Sequence, residues 1–345
     1  MKQNRISYLS LISVVSALAV VMLHTNACFW EFSTERYWAV ANVIESVMYF
    51  AVPLFFMVSG VTLIEYRERY STKEFFQKRI VKTLIPFLVW SAGGVVYKCI
   101  MGWYTVEFSF RGITTIILDI LNVNVIPIYW FFVPLFGMYL TIPLLAAVEQ
   151  KYRESVFQYL IVLGLLLNQI IPFVCGELEI GYSNRISLRV VGGYVLFVLI
   201  GYMLHKHEFA IKMRLLIYVL GIIGLLVHIV GTYVLSIEAG QIINTYKGYE
   251  NLPCVLYSIA IFVFLQQLGK RMKSQKVIDV IEFLSKYTFA VYLLHWFVMT
   301  GLVRILHINT HSIFYRVGAP FVIFAICIGL TWCIRKIPIL RKIVP

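Results

Sequence analysis

YLSLISVVSALAVVMLHTNA, residues 8–27, is twenty residues long, holds no Asp, Glu, Lys or Arg, and carries one imidazole, His24. As a helix, a run of that length covers the ~30 Å hydrocarbon core of a bilayer. It exceeds the ~7–15-residue apolar core of a signal peptide, so it reads as a retained span behind Lys2 and Arg5. The pattern recurs. Ten segments of near-spanning length are readable, at about 7–28, 39–64, 83–100, 128–148, 155–174, 188–205, 214–235, 253–269, 286–303 and 317–334.

Composition points the same way. The 345 residues are 60% hydrophobic and 14% charged, with a mean hydropathy of +0.83. Soluble domains lie near ~45–50% apolar and ~25% charged. No long polar stretch leaves room for a sizeable soluble domain. The expected fold is therefore all-α: a polytopic integral membrane protein of about ten transmembrane helices, one domain over residues 1–345. The net charge of +13 does not point to nucleic acid, because the bases sit in short loops between apolar runs. The loops on the N-terminal side hold 22 Lys and Arg, those on the other side 8. That bias places both termini in the cytoplasm and the chain in the cytoplasmic membrane, with the lipid bilayer as its first partner.

Two segments read as interfacial. Residues 112–126 are apolar but hold Asp119, Asn122 and Asn124, which fits an amphipathic helix lying on the outer surface before the fourth span. Ser71 and Glu74 have the spacing of a capping box opening a short helix in the basic loop 65–79. The six cysteines show no CxxC and no ligand spacing with histidine, so no metal site is expected. They read as small membrane residues, with a disulfide among Cys28, Cys175 and Cys254 left open.

The ionisable and polar residues inside the spans carry the chemistry. An imidazole in hydrocarbon needs a partner or a task, and His24 is followed by Thr25 and Asn26. The second span enters from the same side with Asn42 and Glu45, at a depth similar to that of His24. A carboxylate beside an imidazole orients it and stabilises its charged form, which makes His24–Glu45 a candidate general base. A purely structural His–Glu hydrogen bond locking the two spans is the alternative. FAVPLFFMVSG (50–60) puts Pro53 mid-membrane and Ser59–Gly60 near the cytoplasmic end, where they permit a kink and a close approach by a neighbour or ligand. Lys78, Arg79 and Lys82 head the third span. They either set topology or grip phosphates such as those of coenzyme A. Trp130 opens the fourth span as a belt residue or a wall of the site, and His295 is a second intramembrane imidazole. Asn184, Arg185 and Arg189 stand outside the sixth span, where they meet a glycan or fix the helix end. No nucleotide-binding Gly-rich loop, HExxH or GxSxG is present.

VVMLHT (20–25), VPLFFMVSG (52–60), KRIVKTLIP (78–86), YWFFVPLFGMYLTIP (129–143), GYVLFVLIGYML (193–204) and FAVYLLHWF (289–297) occur in the order and spacing of the membrane acyltransferase-3 family. The chain resembles that family over essentially its whole length. It looks nearest to the enterobacterial-common-antigen O-acetyltransferase branch and to the membrane half of vancomycin-type serine racemases. The resemblance implies about ten spans and an O-acyltransferase that uses acyl-CoA, usually acetyl-CoA, as co-substrate with no tightly bound cofactor. It implies a sugar or related cell-envelope acceptor, and it matches His24 to the family's essential first-span histidine. On this reading the catalytic residues are His24 and Glu45. Lys78, Arg79, Lys82 and Ser59 meet acyl-CoA, and Asn26, Asn42, Trp130, Arg185 and His295 meet the acceptor. The chain departs from the family where an Arg or Lys and a nearby Asp usually precede the histidine, here Ser13 and Ser10, and where an Arg often precedes the second-span proline, here Tyr49. A rewired polar network with catalysis intact is expected. The alternatives are a transporter or flippase for a lipid-linked glycan, and a non-catalytic relative that binds glycan or protein.

Overall fold

The computed structural model describes residues 2–183 and 191–345, with side chains from Tyr8 onward. Its regular elements are all helical: α1 (Lys2–Thr25), α2 (Arg36–Met48), α3 (Ala51–Leu63), α4 (Thr72–Arg79), α5 (Ile85–Ile100), α6 (Phe110–Leu121), α7 (Phe132–Leu145), α8 (Gln150–Leu165), α9 (Ile171–Glu177), α10 (Val195–Lys206), α11 (Ile211–Ala239), α12 (Leu252–Arg271), α13 (Gln275–Ser285), α14 (Thr288–Leu306) and α15 (Ile313–Arg335). Among the described residues, nine helical stretches are long and apolar enough to cross a membrane. The sixth expected span, 188–205, differs: α10 has only 12 residues, about 18 Å of helix. It is short because it is an inner element. Leu196 to Leu204 are all buried in protein, so no lipid-matched length is required of it.

The close approach predicted at Ser59–Gly60 is the seat of α10. A Cβ on Gly60 would lie 2.0 Å from the Val198 carbonyl oxygen, and one on Gly201 2.3 Å from that of Met57. Only hydrogen at both positions lets α3 and α10 meet backbone to backbone, the small-residue packing that membrane helices use where no hydrophobic drive exists between them.

The second span is interrupted as its proline demands. Pro53 has no N–H for the carbonyl of Tyr49, four residues earlier. The helix breaks between α2 and α3, and the freed Tyr49 carbonyl accepts instead from Cys254 Sγ at 3.9 Å. Two further breaks follow the same rule. π turns at Ile80–Leu84 and Leu166–Ile170 each lead into a helix with a proline in its first turn, Pro86 and Pro172. All six cysteines are free.

α1 is the hub, packed against α3, α12, α13, α14 and α15. Its far end is tied down. Thr25 Oγ1 donates to the Arg316 carbonyl at 3.1 Å, and Trp38 Nε1 donates to the Phe29 carbonyl at 2.8 Å in a small cluster of Cys28, Phe29, Trp38 and Ala41. The segment expected as an interfacial helix over 112–126 contains most of α6, which ends at Leu121. Ser109 caps it by accepting from the Gly112 N–H at 3.0 Å, and Phe110, Ile113, Ile117 and Leu121 leave one face apolar and exposed. The cap at Ser71 is formed too, its Oγ accepting from the Glu74 N–H at 3.2 Å.

Candidate active site

A cavity of about 540 Å³ lies against the hub helix. Ser13 and His24, both on α1, line it, so it extends along eleven residues of one helix, roughly 16 Å. Three zones follow one another. Toward the N-terminal face stand Arg79, Lys82 and Thr83, with Ser59. The middle is apolar apart from His24, walled by Val20, Val52, Phe131, Leu135 and Tyr292. At the opposite face the wall is Trp30, Glu45, Tyr49, Trp130 and Tyr249.

The basic end is built by the π turn. Its widened helical turn carries Lys82 and Thr83 to the cavity beside Arg79, as π turns often do at functional sites. The Arg79 guanidinium lies over the rings of Phe75, at 5.6 Å, and Tyr139, at 5.4 Å. Its Nε has no hydrogen-bond partner. Neither Arg79 nor Lys82 is ion-paired among the described residues, which leaves both cations to an incoming anion. Lys78 is placed elsewhere. It pairs with Glu74 at 2.8 Å and lies 3.8 Å from the Tyr70 ring centroid, away from the cavity. The helical repeat explains the split, since 78 and 79 point about 100° apart.

His24 sits in the last turn of α1, half-buried in the cavity wall. Its neighbour is an imidazole, not the expected carboxylate. The ring centroids of His24 and His295 are 5.2 Å apart, tilted by 31°. His295 is wholly buried behind His24 and is absent from the cavity wall. Its Nδ1 is 3.0 Å from the Val291 carbonyl oxygen. A carbonyl only accepts, so Nδ1 carries the proton and Nε2 is a bare acceptor. That Nε2 has no partner. A proton gained by His24 therefore meets an imidazole with an unused lone pair.

Glu45 lines the same cavity, but no hydrogen bond joins it to His24 among the described residues. It is 3% exposed, accepts from Asn26 Nδ2 at 3.3 Å, and pairs with Lys247 at 3.7 Å. Lys247, read from the sequence only as a loop cation, is 4% exposed and caged by rings. Its Nζ is 4.1 Å from the Tyr49 centroid, 4.4 Å from Phe29 and 5.6 Å from Trp30. Burial pulls its ammonium down to about 8, with Glu45 pulling the other way. Lys247 thus rests on the Tyr49 ring while it pairs with Glu45.

The acceptor-side candidates separate. Trp130 is on the wall, stacked on Tyr249 at 5.6 Å, which in turn stacks on Tyr49 at 4.1 Å. Asn26 and Asn42 are fully buried away from it, Asn26 holding the Ala41 carbonyl as well as Glu45, and Asn42 the Ile229 carbonyl. Asn184, Arg185 and Arg189 lie outside the described residues. Lys247, Tyr249 and Trp30 escaped the sequence reading. For Lys247 and Tyr249 the one signal was an aromatic-rich loop, TYKGYEN (245–251).

A family model described as an acyltransferase domain matches residues 6–334. No curated protein and no solved structure matches the chain.

Proposed function

Because the chain belongs to the membrane acyltransferase-3 family, we propose that it moves an acyl group, acetyl, from cytoplasmic acyl-CoA to a hydroxyl of a cell-envelope glycan. In this reading it sits in the cytoplasmic membrane with both termini inside. The observation that carries it is the zoned cavity: unpaired cations at the N-terminal face, one imidazole midway, and an aromatic and acidic wall at the opposite face.

Arg79 and Lys82 hold the phosphates of the donor, charge-assisted contacts that suit guanidinium and ammonium. The acyl thioester reaches along the apolar middle to His24. The acceptor enters from the other side against Trp30, Trp130 and Tyr249, with Glu45 accepting from its hydroxyls. His24 takes the proton of the attacking hydroxyl and the oxygen attacks the thioester carbon. The C–S bond breaks, and the imidazolium returns its proton to the departing thiolate. An acyl-imidazole on His24 is the two-step version of the same balance. His295 Nε2 stabilises the imidazolium between the two transfers.

Mass spectrometry of envelope glycans tests this in cells expressing the wild type, His24→Ala or no chain. One acyl increment seen only with the wild type is the expected result. No increment in any sample, with the protein inserted and folded, would return weight to a transporter or a non-catalytic relative.

A further inference from the structure

A second cavity, of about 440 Å³, opens at the same face as Trp30 and has a different chemistry. Gln169 comes from the π turn, Phe173 and Glu177 from α9, Glu179 from the turn after α9, and Tyr246 and Glu250 from the loop before α12. In a chain of net charge +13, three carboxylates converge here. No Lys, Arg or His is among the described residues that line it, and none of the three carboxylates is ion-paired among the described residues. Tyr246 OH orients one of them, donating to Glu177 Oε2 at 3.0 Å.

Gln169 points independently to a ligand. It is 5% exposed, lines this cavity, and makes no side-chain hydrogen bond among the described residues. A buried carboxamide is normally satisfied, so both its donor and its acceptor are available to an occupant. Phe173 and Tyr246, with ring centroids 6.2 Å apart at 59°, add two aromatic faces. Carboxylates and ring faces favour an ammonium. The open amide favours hydroxyls, and the size fits a small-molecule site of roughly 300–1,000 Å³. A phospholipid headgroup is disfavoured, because its phosphate would meet three carboxylates.

The two cavities share a wall. In loop 245–250, Tyr249 faces the first cavity, Tyr246 and Glu250 the second, and Lys247 anchors the loop on Glu45. We propose that the second cavity binds an amine-bearing sugar unit of the acceptor, its ammonium among Glu177, Glu179 and Glu250 and a hydroxyl on Gln169, next to the unit presented to His24. The word acceptor rests on the transferase reading, whereas the binding chemistry does not.

The test is direct binding to the full-length protein in lipid nanodiscs, by calorimetry. The ligands are a β-1,4-linked glucosamine tetramer and its fully N-acetylated counterpart. The wild type binds the free-amine tetramer about tenfold tighter, the scale of one hydrogen bond to a charged group. Glu250→Gln loses most of that preference. Glu179→Gln, at an exposed position where folding is not at stake, does the same, and Gln169→Leu weakens both tetramers. Equal affinity for the two tetramers, no binding of either, or a preference that survives Glu179→Gln with Glu250→Gln overturns the proposal. Retained preference with no acyl increment in cells would overturn the transferase reading and leave the site standing.

Discussion

Lys247 Nζ lies 3.7 Å from Glu45 Oε1, both side chains almost fully buried, although 202 positions separate them in the chain. Glu45 stands on the wall of the larger cavity, and the pair pins the loop between the two cavities. It joins a loop cation to a helix carboxylate that the sequence alone would assign to His24.

Breaking that pair should cost more than removing it. Lys247→Met leaves Glu45 buried without its cation, a loss of about 3–5 kcal/mol for a buried pair. Adding Glu45→Gln should recover part of it. Thermal unfolding of the purified single and double variants measures both.

The same lysine sets a pH dependence of stability. Its ordinary value is 10.5, and burial lowers it to about 8 in the folded chain. Between those values the unfolded state binds more protons, so this group's contribution to stability rises with pH from about 8 to 10.5. The rise should appear in melting curves of the wild type and vanish in Lys247→Met.

His24→Ala should lower acyl transfer by about 10²–10⁴-fold, the usual worth of a general base. Melting temperature should hardly move, because His24 contributes a half-buried ring at a cavity wall. A purified variant with full activity would remove His24 from the mechanism.

His295 acts through His24, so it is a positioning residue. His295→Phe keeps the ring's bulk but removes the bare Nε2, and kcat should fall about tenfold, on the order of one hydrogen bond. KM for the acceptor should stay unchanged and the pH–rate profile should shift. A kcat equal to wild type with an unshifted profile would mean the ring contact is packing alone.

The donor end divides by residue. Arg79→Ala and Lys82→Ala should each raise KM for acyl-CoA about tenfold or more with kcat largely kept, as for a lost contact to charge. Lys78→Ala should leave KM unchanged, since Lys78 is engaged with Glu74 and Tyr70. Steady-state kinetics in nanodiscs separates these outcomes.

Much of the site was legible because it is written locally. The break near Pro53 follows from a missing N–H, the seat of α10 from Gly60, and the capped α4 from Ser71 and Glu74. Lys82 reaches the cavity beside Arg79 because a π turn carries it there, and the turn's trigger, Pro86, is visible four residues after Lys82. Lys78 was misplaced because three bases in one run look equivalent until the helix assigns them directions.

The amino-acid sequence by itself determined the all-helical membrane class, most span positions, the essential-looking His24 and the family. These rest on length, hydropathy and motifs, which are properties of one segment at a time. Only the tertiary structure decided that His24 meets His295, that Glu45 meets Lys247, and that α10 is an inner helix. The reason is physical. In a bilayer the lipid is as apolar as the protein core, so hydropathy marks which segments enter the membrane and not which faces meet inside it.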